Sequence, residues 1–175
     1  VEIAGNGHAV IAVICADGMK YKADIVVIGI GVIPNIELAQ TAKLACDNGI
    51  IVDKHSRTED AHIYVAGDCT SYQHPFAGKA IRLESVQNAN DQGRSAAAAI
   101  ANNPKSYQTV PWFWSTQYGI KLQMAGLCDG CDETVILGDM EESKFSLFHF
   151  RDGQFRAIDA VNRPADYILS RRLLE

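Results

Sequence analysis

Ile63-Tyr64-Val65-Ala66-Gly67-Asp68, an apolar run ending in Gly-Asp, decides how this chain is read. Four consecutive apolar residues suit a short strand buried on both faces of a layered α/β sheet, and such sheets hold ligands beyond the carboxyl ends of their strands. Asp68, placed there by Gly67, can accept hydrogen bonds from ribose or ribityl hydroxyls; it reads equally well as the cap of its own turn. Upstream, Asp24-Ile25-Val26-Val27-Ile28-Gly29-Ile30 reads as another strand of the same buried type. Between the two lie a short helical segment at 36–42 and the strand Ile50-Ile51-Val52-Asp53, which follows Asn48-Gly49. Downstream, a polar, glycine-containing loop leads to a helix at 86–101. Its Ala96–Ala101 segment offers a small-residue face for a sheet, and Asn102-Asn103-Pro104 ends it.

The flanks are antiparallel in character. Before residue 24, Asn6-Gly7 and Asp17-Gly18 are turn signals that fold residues 8–16 and 21–23 into a meander. Beyond Tyr107 come aromatic, strand-like segments at 120–127, 134–137, 143–150 and 154–161, with Arg151-Asp152-Gly153 as a hairpin turn. A closing helix starts at Pro164 and carries Arg171 and Arg172 in its last turn. The expected fold is therefore mixed α/β and α+β: layered segments first, then a small antiparallel sheet with a helix.

Composition bounds the chemistry. The chain has 175 residues, 47% of them hydrophobic, and a net charge of −5. That is enough for a core and too little for two complete nucleotide-binding halves plus a third domain. Acidic and basic residues are spread evenly, with no basic cluster for nucleic acid or an anionic membrane, and no apolar run is long enough to span a bilayer. Five cysteines, an odd number, fit a reduced, cytoplasmic setting. Cys128-Asp129-Gly130-Cys131 has metal or redox spacing but lacks further ligands and a helix start, so it reads as a loop with two incidental thiols and no metal.

Three further stretches are candidates for binding. Gly29-Ile30-Gly31-Val32-Ile33-Pro34-Asn35 follows a strand but fails as a dinucleotide turn, because Pro34-Asn35 redirects the chain; it reads as a tight crossover or as a nucleotide contact. Arg82-Leu83-Glu84-Ser85-Val86-Gln87-Asn88 opens the 86–101 helix, whose unpaired amides suit an electron-rich carbonyl, while Arg82 and Glu84 read equally as a structural ion pair. In Pro111-Trp112-Phe113-Trp114, the two tryptophans share one side of an extended segment, suited to interface packing or to a flat redox ring.

Taken with Val110-Pro111-Trp112-Phe113-Trp114-Ser115 and Gln117-Tyr118, the Gly67-Asp68 and Arg82-Leu83-Glu84-Ser85 motifs resemble the C-terminal half of the FAD-dependent, NADH-linked ferredoxin reductases. The resemblance covers essentially the whole chain. It implies that residues 1–34 end an NADH-binding domain, about 35–105 form the second part of an FAD-binding domain, and about 106–175 form a C-terminal interface domain. By the same resemblance, Asp68 after Gly67 holds the flavin ribityl chain, and Glu84, Ser85, Val86 and Asn88 frame the flavin ring at the helix start. Gly29, Gly31 and Pro34 lie near the dinucleotide, and Trp114 sits beside the flavin where a partner docks. Thr116 departs from the family, which commonly has an acid there. Electrons are expected to pass from NADH through FAD to a [2Fe-2S] ferredoxin serving an oxygenase, with no side chain acting as general acid or base. A homodimer contact through the C-terminal domain is a further expectation.

The start at Val1, in mid-meander, and the absence of both ADP-binding turns make a piece of a longer enzyme the leading expectation, without activity or tight FAD binding by itself. Competing readings are a cofactor-free interaction or dimerisation module, and a related flavoprotein such as a rubredoxin or nitrite reductase component or an NADH oxidase.

Overall fold

Two turns organise the first residues. Asn6 Oδ1 accepts hydrogen bonds from the amides of His8 and Ala9, both at 3.0 Å, and Gly7 takes φ +87°. Asp17 Oδ1 accepts from the Met19 amide at 2.9 Å, beside Gly18 at φ +82°. These turns join β1 (Glu2–Gly5), β2 (Val10–Ile14) and β3 (Lys20–Lys22) into the expected antiparallel meander, ordered β1-β2-β3. The computed structural model describes residues 1–175 and divides them into two units, Val1–Ile33 and Pro34–Glu175.

The strand expected at 24–30 does not form. Residues 24–30 carry no ladder, and Ile25, Val27 and Ile30 are 83%, 91% and 91% exposed. A strand buried on both faces needs a hydrogen-bonding neighbour on each edge and a layer above and below, and no segment of this chain supplies them. Apolar content here records a preference that the chain leaves unmet.

In the second unit, α1 (Glu37–Thr41) precedes a small sheet of β4 (Ile50–Val52), β5 (Thr70–His74) and β6 (Lys79–Ile81). β5 is central, parallel to β4 and antiparallel to β6. Two expectations are corrected here. Ile63–Ala66 is not a strand: a single bridge joins Tyr64 to Arg57, within a loop closed by Thr58 N to Ile63 O at 3.0 Å and Val65 N to Ser56 O at 2.9 Å. The segment after Gly67-Asp68, read as a loop, contains β5 and β6. Thr70, Ser71, Tyr72 and His74 are all buried, so β5 is an interior strand written in polar residues, which hydrophobic patterning misses.

The helix expected at 86–101 is α2 (Val86–Ile100), capped by Ser85, whose Oγ accepts from Asn88 N at 3.1 Å. Its buried face differs from the expected alanine face. Gln87, Asn88, Gln92, Ser95 and Ala96 are buried, while Ala97 is exposed. The helical period is present, carried by amides.

Beyond it, β7 (Trp112–Gln117), β8 (Ile120–Gly126), β9 (Glu133–Asp139), β10 (Lys144–Arg151) and β11 (Gln154–Val161) form an antiparallel sheet ordered β7-β8-β11-β10-β9. The β10–β11 hairpin turns at Asp152 and Gly153, both with positive φ as a tight two-residue loop requires. Helix α3 (Pro164–Leu174) buries Tyr167 with Ala125, Ile158 and Ala160, and Leu174, Trp112, Phe148 and Phe155 pack around them. Asp166 in its first turn pairs with Arg163 and accepts from Ser146 Oγ at 2.8 Å. The Arg163 hydrogen bond foremost holds that carboxyl below the usual carboxylate range.

Candidate functional site

The Gly-Asp turn is held in place by a helix that sequence patterning did not connect to it. Gln92 Oε1 accepts from Gly67 N at 2.7 Å and lies 2.9 Å from Thr70 Oγ1 and 3.4 Å from Asn88 Nδ2. Asn88 is fully buried, donating to Leu83 O at 2.9 Å and accepting from the Tyr72 hydroxyl at 3.1 Å. Burial raises the Tyr72 hydroxyl far above its ordinary pKa, with Tyr107 adding to it, so it stays a proton donor. Gln87 completes the network: Nε2 donates to Asp91 at 2.7 Å, and Oε1 accepts from Trp112 N at 3.4 Å. The three buried amides thus tie the Gly-Asp turn, β5, the Leu83 segment and β7 to α2, and every connection is costly to leave half-made.

Gly67 takes φ +92°, a conformation that a side chain resists, and a Cβ there would meet the Ala89 methyl at 3.6 Å. The turn therefore lies directly against α2. Asp68 is exposed, and no protein group donates to its carboxylate; its backbone carbonyl accepts from Arg82 Nη1 at 3.2 Å. Arg82 also reaches Asn48 Oδ1 at 3.3 Å and pairs with Glu84. The Arg82–Glu84 pair is a brace for the Gly-Asp turn, and Asp68 is the carboxylate left open.

Ser85 Oγ and O take the amides of Asn88 and Ala89, which leaves those of Val86 and Gln87 as the open donors of the helix start. Glu84 and Ser85 also line a cavity of about 290 Å³ with Leu83, Trp112, Phe113 and Met124; Asp159 and Cys128 are at its wall. Asp159 Oδ2 lies 2.9 Å from His149 Nε2. Trp114 stacks on Trp112 with ring centroids 5.5 Å apart, is 42% exposed, and does not line this cavity. The guanidinium of Arg171 lies 5.0 Å over the Trp112 ring.

Of the residues singled out from sequence, the fold gathers Gly67, Asp68, Glu84, Ser85, Val86 and Asn88 around the start of α2, with Asn88 acting from beneath. Gly29 and Gly31 belong to the first unit and Pro34 opens the second. No atom lies within 4 Å of a Cβ built on Gly29 or Gly31. Gln92, Tyr72 and Thr70 complete the site and were not singled out as binding residues; Arg82, read also as the ion-pair partner of Glu84, braces the turn. The available signal was the Asn88–Gln92 spacing of four, which places two amides on one helix face.

His74 is a separate buried group. Nδ1 accepts from Phe76 N at 3.1 Å, and Nε2 faces the Thr109 backbone without a hydrogen bond of good geometry. Desolvation pushes its pKa below the ordinary value, outweighing that backbone contact.

Residues 1–93 match the family model for pyridine nucleotide-disulphide oxidoreductases, and residues 112–175 match that of the reductase C-terminal domain. Rhodocoxin reductase of Rhodococcus erythropolis is 47% identical over 98% of this chain and 40% of its own length. Putidaredoxin reductase CamA of Pseudomonas putida is 39% identical over 99% and 41%. The crystal structure of the ferredoxin reductase for the CYP199A2 system from Rhodopseudomonas palustris superposes with a TM-score of 0.88, at 45% identity over 97% of this chain and 42% of that one. The putidaredoxin reductase in its covalent complex with putidaredoxin gives 0.89, at 39% identity over 99% and 42%. The chain thus spans about two fifths of the length of these relatives. With its first 93 residues matched across the Gly67-Asp68 turn and into α2, it belongs to the pyridine nucleotide-disulphide oxidoreductase family.

Proposed function

We propose that this chain is the C-terminal part of an NADH-dependent flavoprotein reductase that passes electrons to a [2Fe-2S] ferredoxin of an oxygenase system in the cytoplasm. The observation that carries the reading is the open Asp68 carboxylate, braced by Arg82 and Gln92 beside the unpaired amides at the start of α2. The residues present suit FAD: a free carboxylate for hydroxyl donors, helix-start amides for a ring carbonyl, and a largely apolar cavity lined by Ser85, Trp112 and Phe113. When bound, FAD supplies the conversion of two-electron to one-electron transfer. Asp68 would hold the ribityl chain, the Val86 and Gln87 amides would face a ring carbonyl, and Gly67 would let the backbone approach. Docking of the iron–sulfur partner beside Trp114 is supported by that ring's exposure and its stacking on Trp112.

In this reading residues 1–34 complete the NADH domain, with Gly29, Gly31 and Pro34 near the dinucleotide. Residues 35–105 complete the FAD domain, and 106–175 form the interface domain, which also offers a homodimer contact. The unit boundary after Ile33 supports the first division, and the uncovered aliphatic residues at 25–33 suit a sheet completed by other parts of the protein.

The complete product of the encoding gene is expected to purify with bound FAD and to reduce a [2Fe-2S] ferredoxin with NADH. Asp68→Ala should weaken FAD at least tenfold, since hydrogen bonds to a charged group contribute about 1.5–3 kcal/mol. The 175-residue chain alone should not retain FAD at micromolar concentration. A complete product free of flavin, or an Asp68→Ala variant with unchanged flavin affinity, would overturn the assignment.

A further inference from the structure

Cys128 and Cys131 lie at the two ends of a turn whose centre is Asp129-Gly130, between β8 and β9. Gly130 takes φ +67°, which lets the chain reverse within four residues. The ends of such a turn lie within about 7 Å, overlapping the roughly 4.4–6.8 Å between Cα atoms that a disulfide spans. Both thiols are free, and Cys128 is the only exposed cysteine of the five. The turn is pinned from both sides. Asp129 Oδ2 pairs with Lys79 Nζ on β6 at 2.6 Å, and the Asp129 carbonyl accepts from Arg151 on β10 at 3.5 Å. The next residue, Asp132, donates its amide to Phe150 O at 3.0 Å and accepts from Asp152 N at 3.0 Å. No third metal-ligating side chain gathers at the pair.

We propose that Cys128 and Cys131 form a reversible dithiol–disulfide site, closed by exchange with a low-molecular-weight disulfide of the glutathione type. The Cys128 thiolate attacks one sulfur of the reagent: a Cys128–reagent bond forms, the reagent's own S–S bond breaks, and one thiolate leaves and is protonated. Cys131 gives its proton to solvent and attacks Cys128 Sγ, displacing the second thiolate. Two electrons pass from the cysteines to the reagent, one protein disulfide forms, and two small thiols are released.

The order of attack follows from the surroundings. Cys128 is exposed, whereas Cys131 is half-buried, and burial first, then its hydrogen bond with Cys128, pushes the Cys131 thiol up to about 11. Cys128 is therefore the entry thiol and Cys131 the resolving one. Because the turn is already formed, the second step is intramolecular at high effective concentration. Cys128 also lines the cavity with Leu83, Glu84 and Ser85, so closure draws its sulfur from that wall toward Cys131.

The test uses the folded 175-residue chain in glutathione redox buffers, quenched in acid, alkylated and mapped by peptide mass. The expected product is a Cys128–Cys131 disulfide, two hydrogens lighter and reopened by dithiothreitol, while Cys15, Cys46 and Cys69 remain alkylatable. Cys131→Ser should stop at a Cys128–glutathione mixed disulfide, and urea should slow closure at least about tenfold by releasing the turn. A mixed disulfide that persists at Cys128 in the unaltered chain, or pairing as frequent with the other cysteines, would overturn the proposal.

Discussion

At the scale of single residues, the site rests on which polar groups are consumed and which are left open. Asn88, Gln87 and Gln92 spend their amides inside the protein, and Arg82 spends its guanidinium on Glu84, Asn48 and the Asp68 carbonyl. Only Asp68 keeps its side chain for a ligand. Its position after Gly67 was legible because a glycine–acid pair is local turn chemistry. The role of Gln92 was not, because its partners Gly67 and Thr70 are 25 and 22 residues away. Gln92→Ala should leave the buried Gly67 amide without an acceptor, while Asn88 keeps Leu83 O. A loss of about 2–3 kcal/mol is expected, read as a lower urea midpoint with unchanged slope. An unchanged midpoint would mean that water replaces the amide at no cost.

At the scale of elements, the antiparallel sheet was read well and the parallel one poorly. Strands β8, β10 and β11 and the Asp152-Gly153 hairpin follow from alternation and turn residues, both local signals. The β5 strand escaped because its buried residues are hydroxyls, a phenol and an imidazole, and the Thr70 and Tyr72 hydroxyls meet Gln92 and Asn88 only once α2 has packed. Close approach within the sheet gives a further expectation. Gly126 ends β8 at φ +83°, where an added Cβ would overlap the Arg156 carbonyl oxygen on β11. Gly126→Ala should cost about 2–5 kcal/mol from backbone strain plus overpacking. Gly153→Asn, at a turn with open space around it and a left-handed φ that asparagine tolerates, should change stability little. Equal urea midpoints for the two variants would refute the steric account.

For the whole molecule, the division after Ile33 is between a three-stranded meander with little buried surface and a unit with two hydrophobic clusters. Residues 24–33 should be the first site of thermolysin cleavage, because their backbone is outside any ladder and their aliphatic side chains are open to a protease. Mass spectrometry of the early products should find a stable fragment beginning near Pro34; initial cuts within β10 or β11 would contradict it. The amino-acid sequence by itself determined the features that neighbours in the chain create: the turns at Asn6-Gly7, Asp17-Gly18 and Asp152-Gly153, the proline-started α3, and the placing of a carboxylate after Gly67. It carried the family resemblance for the same reason, since motifs are contiguous. Only the tertiary structure decided that the aliphatic run at 24–30 stays unpaired, that the polar run at 70–74 is interior, and that α2 buries amides. Burial and pairing are properties of what surrounds a segment, and a strand or a polar helix face is stabilised only when its distant partners arrive.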